Sequence, residues 1–258
     1  MHVDGHRKGG TPSSDGLASL SAAGDAGQGG RAVDGNGEAH LISGRAEIVE
    51  LANGLLHSRT RSVGRTILGL AGPPGAGKST LARHLVEEIN RLNGTGTAAY
   101  LPLDGFHLSN TQLERLGLRD RKGSPATFDA WGYVALLRRV LAERFHDVYT
   151  PDFDRELDEP VAARHVIRPH TRLVITEGNY LANADTPWSE VRTLLHEVWY
   201  VDTDDQLRDA RLMQRHLAGG RDADAARHWI TSNDHPNGEY VKAGREACTR
   251  IIGSWVCP

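Results

Sequence analysis

The stretch GPPGAGKST, residues 72–80, follows an apolar run, TILGLA (66–71), and precedes an amphipathic segment. From Gly72 to Ser79 it fits the pattern G-x-x-x-x-G-K-[ST] in the strand-to-helix context that makes the motif credible. Glycines let backbone N–H groups close around phosphate oxygens, Lys78 adds positive charge, and the Ser79 hydroxyl ligates Mg²⁺. We therefore predict a nucleotide-phosphate loop rather than a chance glycine-rich turn. Its residues are Gly72, Pro73, Pro74, Gly75, Ala76, Gly77, Lys78, Ser79 and Thr80.

Strands and helices alternate around this loop. Short apolar runs predict strands at 66–72, 98–104, 172–178 and 197–203. Helical periodicity predicts helices at 45–58, 79–92, 129–145, 204–218, 222–232 and 238–251. Such alternation favours a parallel sheet with helices on both faces. We predict one α/β P-loop NTPase domain over residues 43–258.

Residues 1–42 have a different composition. Ten of the first 40 residues are Gly and none is aromatic. Such a segment cannot bury enough apolar surface to offset the entropy lost on ordering. We predict a disordered Gly-rich tail.

The bulk composition limits the partners. Lys and Arg number 30 against 33 Asp and Glu, a net charge of −3, which disfavours a nucleic-acid partner. Cys248 and Cys257 lack the spacing of a zinc site or a disulfide framework, which favours a reducing compartment. The sequence shows no run of 18 apolar residues and no signal-peptide core. We expect a cytoplasmic protein with no membrane partner.

The phosphate loop does not by itself decide the reaction. The sequence has no N-K-x-D motif, which disfavours a Ras-like GTPase, and no L-S-G-G-Q motif, which disfavours a transporter ATPase. The short chain and the absence of a basic surplus disfavour a helicase.

Two further predicted strands end in carboxylates, Asp104 after AYLPL and Glu177 after RLVIT. In an open parallel sheet, ligands bind outside the carboxyl ends of the strands, so both acids should lie beside the phosphate loop. A carboxylate there can accept a proton from an attacking hydroxyl, or it can hold Mg²⁺. Asp104 suits the first task and Glu177 the second. The alternative for each is a turn residue or a helix cap.

Four segments resemble one family. DGFHLSNTQLERLGLRDRKGSPATFD (104–129) looks like the D-G-F…R-K-G-x-P segment of the bacterial type I pantothenate kinases. ITEGNYL (175–181) resembles a strand that they share with uridine kinases. RLMQRHL (211–217) resembles their lid helix, and HWITSNDHPN (228–237) their Trp-x-x-x-Asn pattern. From about residue 66 to 252, the chain resembles the uridine kinase / pantothenate kinase / phosphoribulokinase family.

The resemblance implies a kinase with a helical lid that uses ATP and Mg²⁺ to phosphorylate a hydroxyl of a small metabolite. It implies that Asp104 is the general base and that Glu177 lies near the metal with Ser79. Lys78 would contact the phosphates, and Arg215 would reach the transferring phosphoryl group. Arg208 and Arg211 on the same helix are alternatives for that role, although a solvated helix face is the other reading of Arg208.

The residues proposed to bind the acceptor are His107, Arg121, Lys122, Tyr149, Phe153, Asp154, Arg155, Asn179, Tyr180, Asn233 and Asn237. Three alternatives stay open among them. Arg121 and Lys122 could form a surface turn, residues 152–155 could form a polar loop, and His107 could cap a helix that starts near Ser109.

One departure from the family pattern concerns the acceptor. Pantothenate kinases have a substrate-contacting histidine two positions after a tyrosine, and here Pro151 follows Tyr149 at that spacing. Proline has no N–H to donate. This departure disfavours pantothenate itself, and the uridine-type pattern is matched no better. The predicted acceptor is therefore given only as pantothenate-, nucleoside- or sugar-like. A regulatory nucleotide-binding NTPase without a metabolite acceptor is the second hypothesis, and a homodimer stays open.

Overall fold

The computed structural model of this chain describes residues 41–57 and 64–253. The strands in these ranges are β1 (Leu41–Ile42), β2 (Thr66–Ala71), β3 (Ala98–Pro102), β4 (Val148–Asp154), β5 (Glu159–Ile167), β6 (Leu173–Glu177), β7 (Glu197–Val201) and β8 (Arg250–Ile252). The α-helices are α1 (Arg45–Gly54), α2 (Lys78–Asn93), α3 (Asn110–Leu116), α4 (Ala130–Ala142), α5 (Trp188–Leu194), α6 (Asp205–Ala218), α7 (Ala223–Trp229) and α8 (His235–Lys242).

Six strands form one parallel sheet in the order β1-β8-β7-β2-β6-β3. β2 leads into the phosphate loop and lies between β6 and β7. Glu177, the last residue of β6, is in register with Leu70 on one side and with Pro102 on the other. The ends of β2, β3 and β6 therefore lie side by side at one edge, as the sequence predicts.

Both faces of the sheet are covered. Side chains alternate between the faces of a strand, so Ile67 packs with residues of α4 and α5, whereas Leu68 and Leu70 pack with residues of α1 and α2. This arrangement confirms the predicted α/β fold with helices on both faces. Within the described ranges, none of the helices combines the length and the apolar character that crossing a membrane requires.

Several boundaries differ from the prediction. Leu41 and Ile42 pair with Ile251 and Ile252 at the sheet edge, so the last two residues of the predicted tail form a strand. Residues 1–40 lie outside the described residues. The helix predicted for 238–251 is wrong at its C-terminal end, because α8 ends at Lys242. Ile251 and Ile252 are buried in β8, where they pair with β7.

The sequence analysis did not predict the antiparallel hairpin of β4 and β5, which stands apart from the main sheet. Asp154 closes its turn: Oδ1 accepts hydrogen bonds from the N–H groups of Glu156 and Leu157 at 3.0 and 3.1 Å. Its Oδ2 lies 3.0 Å from Arg164. The predicted polar loop at 152–155 is therefore the end of a strand and the start of its turn.

Candidate active site

The loop between β2 and α2 has the backbone that phosphate binding requires. Gly75 and Gly77 have φ angles of 80° and 94°, in the left-handed region that favours glycine. Gly77 is also the N-cap of α2, and among the described residues no side chain caps that helix end. The first N–H groups of α2 are therefore available to an anion, and the helix dipole favours negative charge there.

Lys78 is held inside this loop. Its Nζ donates hydrogen bonds to the Pro73 carbonyl at 3.0 Å and to Asn179 Oδ1 at 2.8 Å. Burial lowers the pKa of Lys78 to about 8, although the carboxylates of Glu177 and Asp104 favour its charged form. The ammonium is thus fixed beside the loop and poorly solvated, which strengthens its interaction with a phosphate.

The lowered pKa of Lys78 predicts a pH dependence for nucleotide binding. The charge is lost as the pH rises through about 8. We expect the Kd of a non-hydrolysable ATP analogue to rise by up to about tenfold from pH 7 to pH 9, because a pKa near 8 leaves about 10% of the charge at pH 9. Calorimetric titration in two buffers of different ionisation enthalpy should show proton uptake at pH 8. The Lys78→Met variant should bind weakly without this dependence, and a flat wild-type Kd would contradict the prediction.

Side chains from the segment after β7 donate hydrogen bonds to the backbone carbonyl groups of the phosphate loop. Arg208 Nε donates to the Pro74 carbonyl at 2.9 Å, and the Thr203 hydroxyl donates to the Ala76 carbonyl at 3.0 Å. Arg211 donates to the Gly75 carbonyl at 3.3 Å. Arg208 is only 2% exposed, so the reading of a solvated helix face is wrong for it. Sequence patterns could not predict this support, because the contacts join segments more than 100 residues apart.

Replacing Arg208 should loosen the phosphate loop. In Arg208→Met the Pro74 carbonyl loses its donor, and we expect a loss of about 1–3 kcal/mol in the free energy of unfolding together with weaker ATP binding. Arg227 on α7 is a matched control, since its exposed pair with Asp224 is of the kind that contributes little. Chemical denaturation and ATP titration of both variants test this. Equal effects of the two substitutions would overturn it.

Glu177 and Ser79 form the candidate metal site. The Ser79 hydroxyl donates to Glu177 Oε1 at 3.0 Å, and the Tyr100 hydroxyl donates to the same oxygen at 2.7 Å. Burial raises the pKa of Glu177, and the neighbouring Asp104 carboxylate raises it further. A hydroxyl beside a carboxylate supplies the hard oxygen donors that Mg²⁺ prefers, and Mg²⁺ usually takes only one or two protein ligands besides phosphates and water. These residues therefore fit the ion.

Asp104 does not end β3 directly but lies in a short 3₁₀-helix, Leu103–Phe106, that follows it. The β4–β5 hairpin packs directly on this turn. A Cβ atom at Gly105 would lie 2.6 Å from the carbonyl carbon and oxygen of Pro151, so glycine is needed for this close approach. The hairpin in turn brings Arg155 to 3.9 Å from Asp104 Oδ2.

The surroundings of Asp104 keep its carboxylate ionised. Burial by itself would raise its pKa, but His107, Arg155, Lys78 and Arg215 together hold that pKa below its usual range. The side chain is nevertheless 35% exposed, so a substrate can reach it. Its carboxylate caps no helix in the described residues. Asp104 is thus a charged, accessible group at the crevice.

Arg215 comes from α6, on the other side of the same crevice. Its NH2 lies 3.7 Å from Asp234 Oδ1, and its charge acts on both Lys78 and Asp104. The structure therefore brings together Lys78, Asp104, Glu177 and Arg215, which the sequence analysis had taken from four separate segments.

His107 and Phe153 lie next to Asp104. His107 Nδ1 is 2.8 Å from the Asp104 carbonyl, and its ring packs 4.9 Å from that of Phe153, centre to centre. Burial lowers the pKa of His107. The alternative that His107 caps the helix starting near Ser109 is wrong, because Ser109 is itself the N-cap of α3; His107 is instead the C-cap of the 3₁₀-helix Leu103–Phe106.

Other predicted acceptor residues support the R-K-G segment instead of lining an open site. Asn233 Nδ2 donates to the Lys122 carbonyl at 2.7 Å, and the buried Tyr180 hydroxyl donates to the Gly123 carbonyl. Asn237 is buried and donates to Asn233 Oδ1. The ammonium of Lys122 lies 3.0 Å from Asp158 Oδ2 and 4.8 Å from the centre of the Phe153 ring.

Three predicted acceptor residues are not brought into this group. Asp154 is used by the hairpin turn, as described above. Tyr149 is 59% exposed, whereas its neighbours Val148 and Thr150 are fully buried. Because side chains alternate along a strand, Tyr149 faces away from theirs. Arg121 lies exposed in a 3₁₀-turn.

The chain is similar to several known proteins. The family model described as "Phosphoribulokinase / Uridine kinase family" matches residues 67–252. A Schizosaccharomyces pombe protein named "Putative uridine kinase C227.14" is 35% identical over 160 residues, which cover 60% of this chain and 68% of the relative.

Two solved structures share the fold. The "putative fructose transport system kinase" from Silicibacter sp. TM1040 superposes with a TM-score of 0.71 at 33% identity, covering 81% of this chain and 98% of that one. YFH7 from Saccharomyces cerevisiae superposes with a TM-score of 0.70 and the same coverage at 21% identity, which supports the fold alone.

Proposed function

The chain belongs to the phosphoribulokinase/uridine kinase family, and we propose that it transfers the γ-phosphoryl group of ATP to a hydroxyl of a small metabolite. One observation carries the proposal. Asp104 is an ionised, accessible carboxylate that shares the crevice with the phosphate-loop Lys78 and with Arg215. Such a carboxylate can take the proton of an acceptor hydroxyl, a task that binding of the nucleotide alone does not require.

The residues divide the work by their chemistry. The loop amides and Lys78 bind the phosphates, while Arg208 and Thr203 keep the loop in shape. Asp104 accepts the proton of the acceptor hydroxyl as the new P–O bond forms. Arg215 is placed to offset the charge of the transferring group.

Ser79 and Glu177 would hold Mg²⁺, which, when bound, neutralises phosphate charge. Glu177 Oε1, which also accepts the Tyr100 hydroxyl, holds the Ser79 hydroxyl beside the proposed Mg²⁺ position. Asn179 supports Lys78 from the same side, so its expected contact is with the phosphate-binding lysine rather than with the acceptor.

The names of the relatives favour two classes of acceptor, nucleosides and sugars. Their printed names mention uridine, a nucleoside, and fructose, a sugar. Both carry primary hydroxyls, which the proposed base serves equally well. Pantothenate is a weaker candidate, because Pro151 stands at the position of the histidine that contacts it.

A panel assay tests the proposal. Purified protein with ATP and Mg²⁺ is supplied with nucleosides, ketohexoses and other sugars, and pantothenate, and both ADP release and phosphorylated product are measured. We expect one acceptor class to raise ADP release in step with product. ADP release that no member of the panel changes would favour the regulatory NTPase instead.

A further inference from the structure

Behind Arg215 lies a chain of polar side chains that the proposed chemistry does not use directly. Asp234, 7% exposed at its side chain, lies between Arg215 and His216. Its Oδ2 is 2.7 Å from His216 Nε2, whereas its Oδ1 is 3.7 Å from Arg215 NH2. The two oxygens of one carboxylate are thus divided between a close partner and a distant one.

The hydrogen-bond directions in this chain can be assigned. Arg221 NH1 lies 3.0 Å from His216 Nδ1, and a guanidinium only donates, so Nδ1 accepts. Nε2 then carries the hydrogen and donates a hydrogen bond to Asp234 Oδ2. Arg221 is itself held over the ring of Trp229, with its Cζ 4.3 Å from the ring centre. His216 is therefore locked from behind with its N–H directed at Asp234.

The backbone explains why Asp234 reaches both neighbours. Residues Ile230–Asp234 form a π-helix between α7 and α8, and such wide turns inside helices are frequent at functional sites. Arg215 and His216 are adjacent on α6, so they leave the helix in different directions. The π-helix places a buried carboxylate where the two side chains diverge.

A carboxylate with both oxygens free would take a guanidinium in a close bidentate pair. Here the distance of 3.7 Å between Arg215 and Asp234 is beyond hydrogen-bond range. The His216 N–H takes one lone pair of Oδ2 and fixes the orientation of the Asp234 carboxylate, and in this orientation the Arg215 guanidinium stays outside hydrogen-bond distance. The ion pair is thereby kept weak, and Arg215 stays available to an anion in the crevice.

We propose that His216 is a positioning residue that prevents Asp234 from capturing Arg215, so that Arg215 remains free to reach the transferring phosphoryl group. The proposal rests on the kinase function proposed above. In this scheme the Asp234 carboxylate attracts Arg215, and His216 limits how tightly it is held.

The test is a suppressor experiment. His216→Leu removes the donor, and we expect kcat to fall by at least tenfold while KM for ATP changes little. Adding Asp234→Asn removes the capturing charge, so the double variant should recover most of the lost kcat. His216→Gln, which keeps an N–H near the Nε2 position, should behave like the wild type, and His228→Leu on the exposed side of α7 is the control.

A purely structural role gives a different pattern. His216→Leu would then lose stability and kcat together, because it leaves the buried Asp234 carboxylate without its close donor, and Asp234→Asn would restore both, since residues in direct contact are not additive. In the proposed role, by contrast, kcat falls in His216→Leu while the melting temperature and KM for ATP stay near those of the wild type. A kcat that only follows the melting temperature is the structural result. That result, or an unchanged kcat in His216→Leu, overturns the proposal. Should His216→Leu not fold, the same comparison is made with His216→Asn, which moves the N–H away from Oδ2.

A measurement without turnover separates this proposal from the kinase function. In ¹⁵N-arginine NMR of the nucleotide-free protein, the Arg215 guanidinium, assigned by its loss in Arg215→Met, should rotate more slowly in His216→Leu than in the wild type. Slower rotation with no phosphorylated product from any acceptor would show that His216 keeps Arg215 from Asp234, but it would reject the phosphoryl-transfer role that the proposal assigns to Arg215. Unchanged rotation with an active wild type rejects the positioning role alone.

Discussion

Asp104→Asn is expected to bind ATP nearly as well as the wild type and to phosphorylate the acceptor about 10²–10⁴-fold more slowly, the usual contribution of a general base. The substitution keeps the shape of the side chain but removes its negative charge and its ability to take a proton. The four cationic or ionisable groups around it, His107, Arg155, Lys78 and Arg215, favour the charged form of the native carboxylate. Single-turnover measurements with saturating ATP and acceptor report the loss in the chemical step.

Glu156→Gln provides the control for this substitution. Glu156 lies exposed in the turn of the hairpin, one residue from Arg155, so its replacement removes a nearby negative charge without touching the crevice. It should retain wild-type turnover. Asp104→Asn with unimpaired turnover would reject the base assignment, and equal losses in both variants would mean that the overall charge of this edge matters instead.

The part of the site that the sequence predicted well is carried by short continuous segments. The glycines of Gly72–Ser79 indicate the backbone conformation of the loop, and the apolar runs place Glu177 at the end of its strand and Asp104 in the turn directly after its strand. Parallel pairing then brings the ends of β2, β3 and β6 together, because Glu177 is in register with both Leu70 and Pro102. Local pattern and sheet geometry together were enough to bring these groups to one edge.

What the sequence could not provide depends on contacts between distant segments. The β4–β5 hairpin begins with Val148-Tyr149-Thr150, a run too short to distinguish from a loop by its pattern, and it is fixed by packing on Gly105. Asn233 and Tyr180 looked like acceptor ligands, but they hold backbone carbonyls of the R-K-G segment. A family motif contains the same polar residue whether that residue contacts a substrate or supports a neighbouring loop, so the motif alone does not distinguish the two roles.

Arginines show the same limit most clearly, because Arg208, Arg211 and Arg215 lie on one helix and differ only in what they face. Arg208 and Arg211 contact the carbonyl groups of the phosphate loop, whereas Arg215 faces the crevice beside Asp104. The positions of Arg208 and Arg215 therefore predict two different kinetic effects. Arg208→Met should mainly affect stability and ATP binding, and Arg215 should mainly affect the chemical step.

Arg215→Ala is accordingly expected to reduce kcat by about 10³-fold or more, the range found for arginines that offset charge on a transferring phosphoryl group. KM for ATP should change far less, because the loop amides and Lys78 bind the phosphates in the ground state. Arg215→Lys should recover only part of the loss, since an ammonium lacks the planar pair of donors. Initial rates with varied ATP at saturating acceptor separate the two constants.

The control for Arg215 is Arg227→Ala, which removes a positive charge from an exposed face of α7. If Arg215 acted only by tying α6 to Asp234, its loss would lower the melting temperature and raise KM for ATP, with a modest effect on kcat. The ion pair of 3.7 Å is too long to make that the larger effect. A kcat that falls alone, in a protein that melts normally, identifies Arg215 as a group whose interaction is strongest in the transition state.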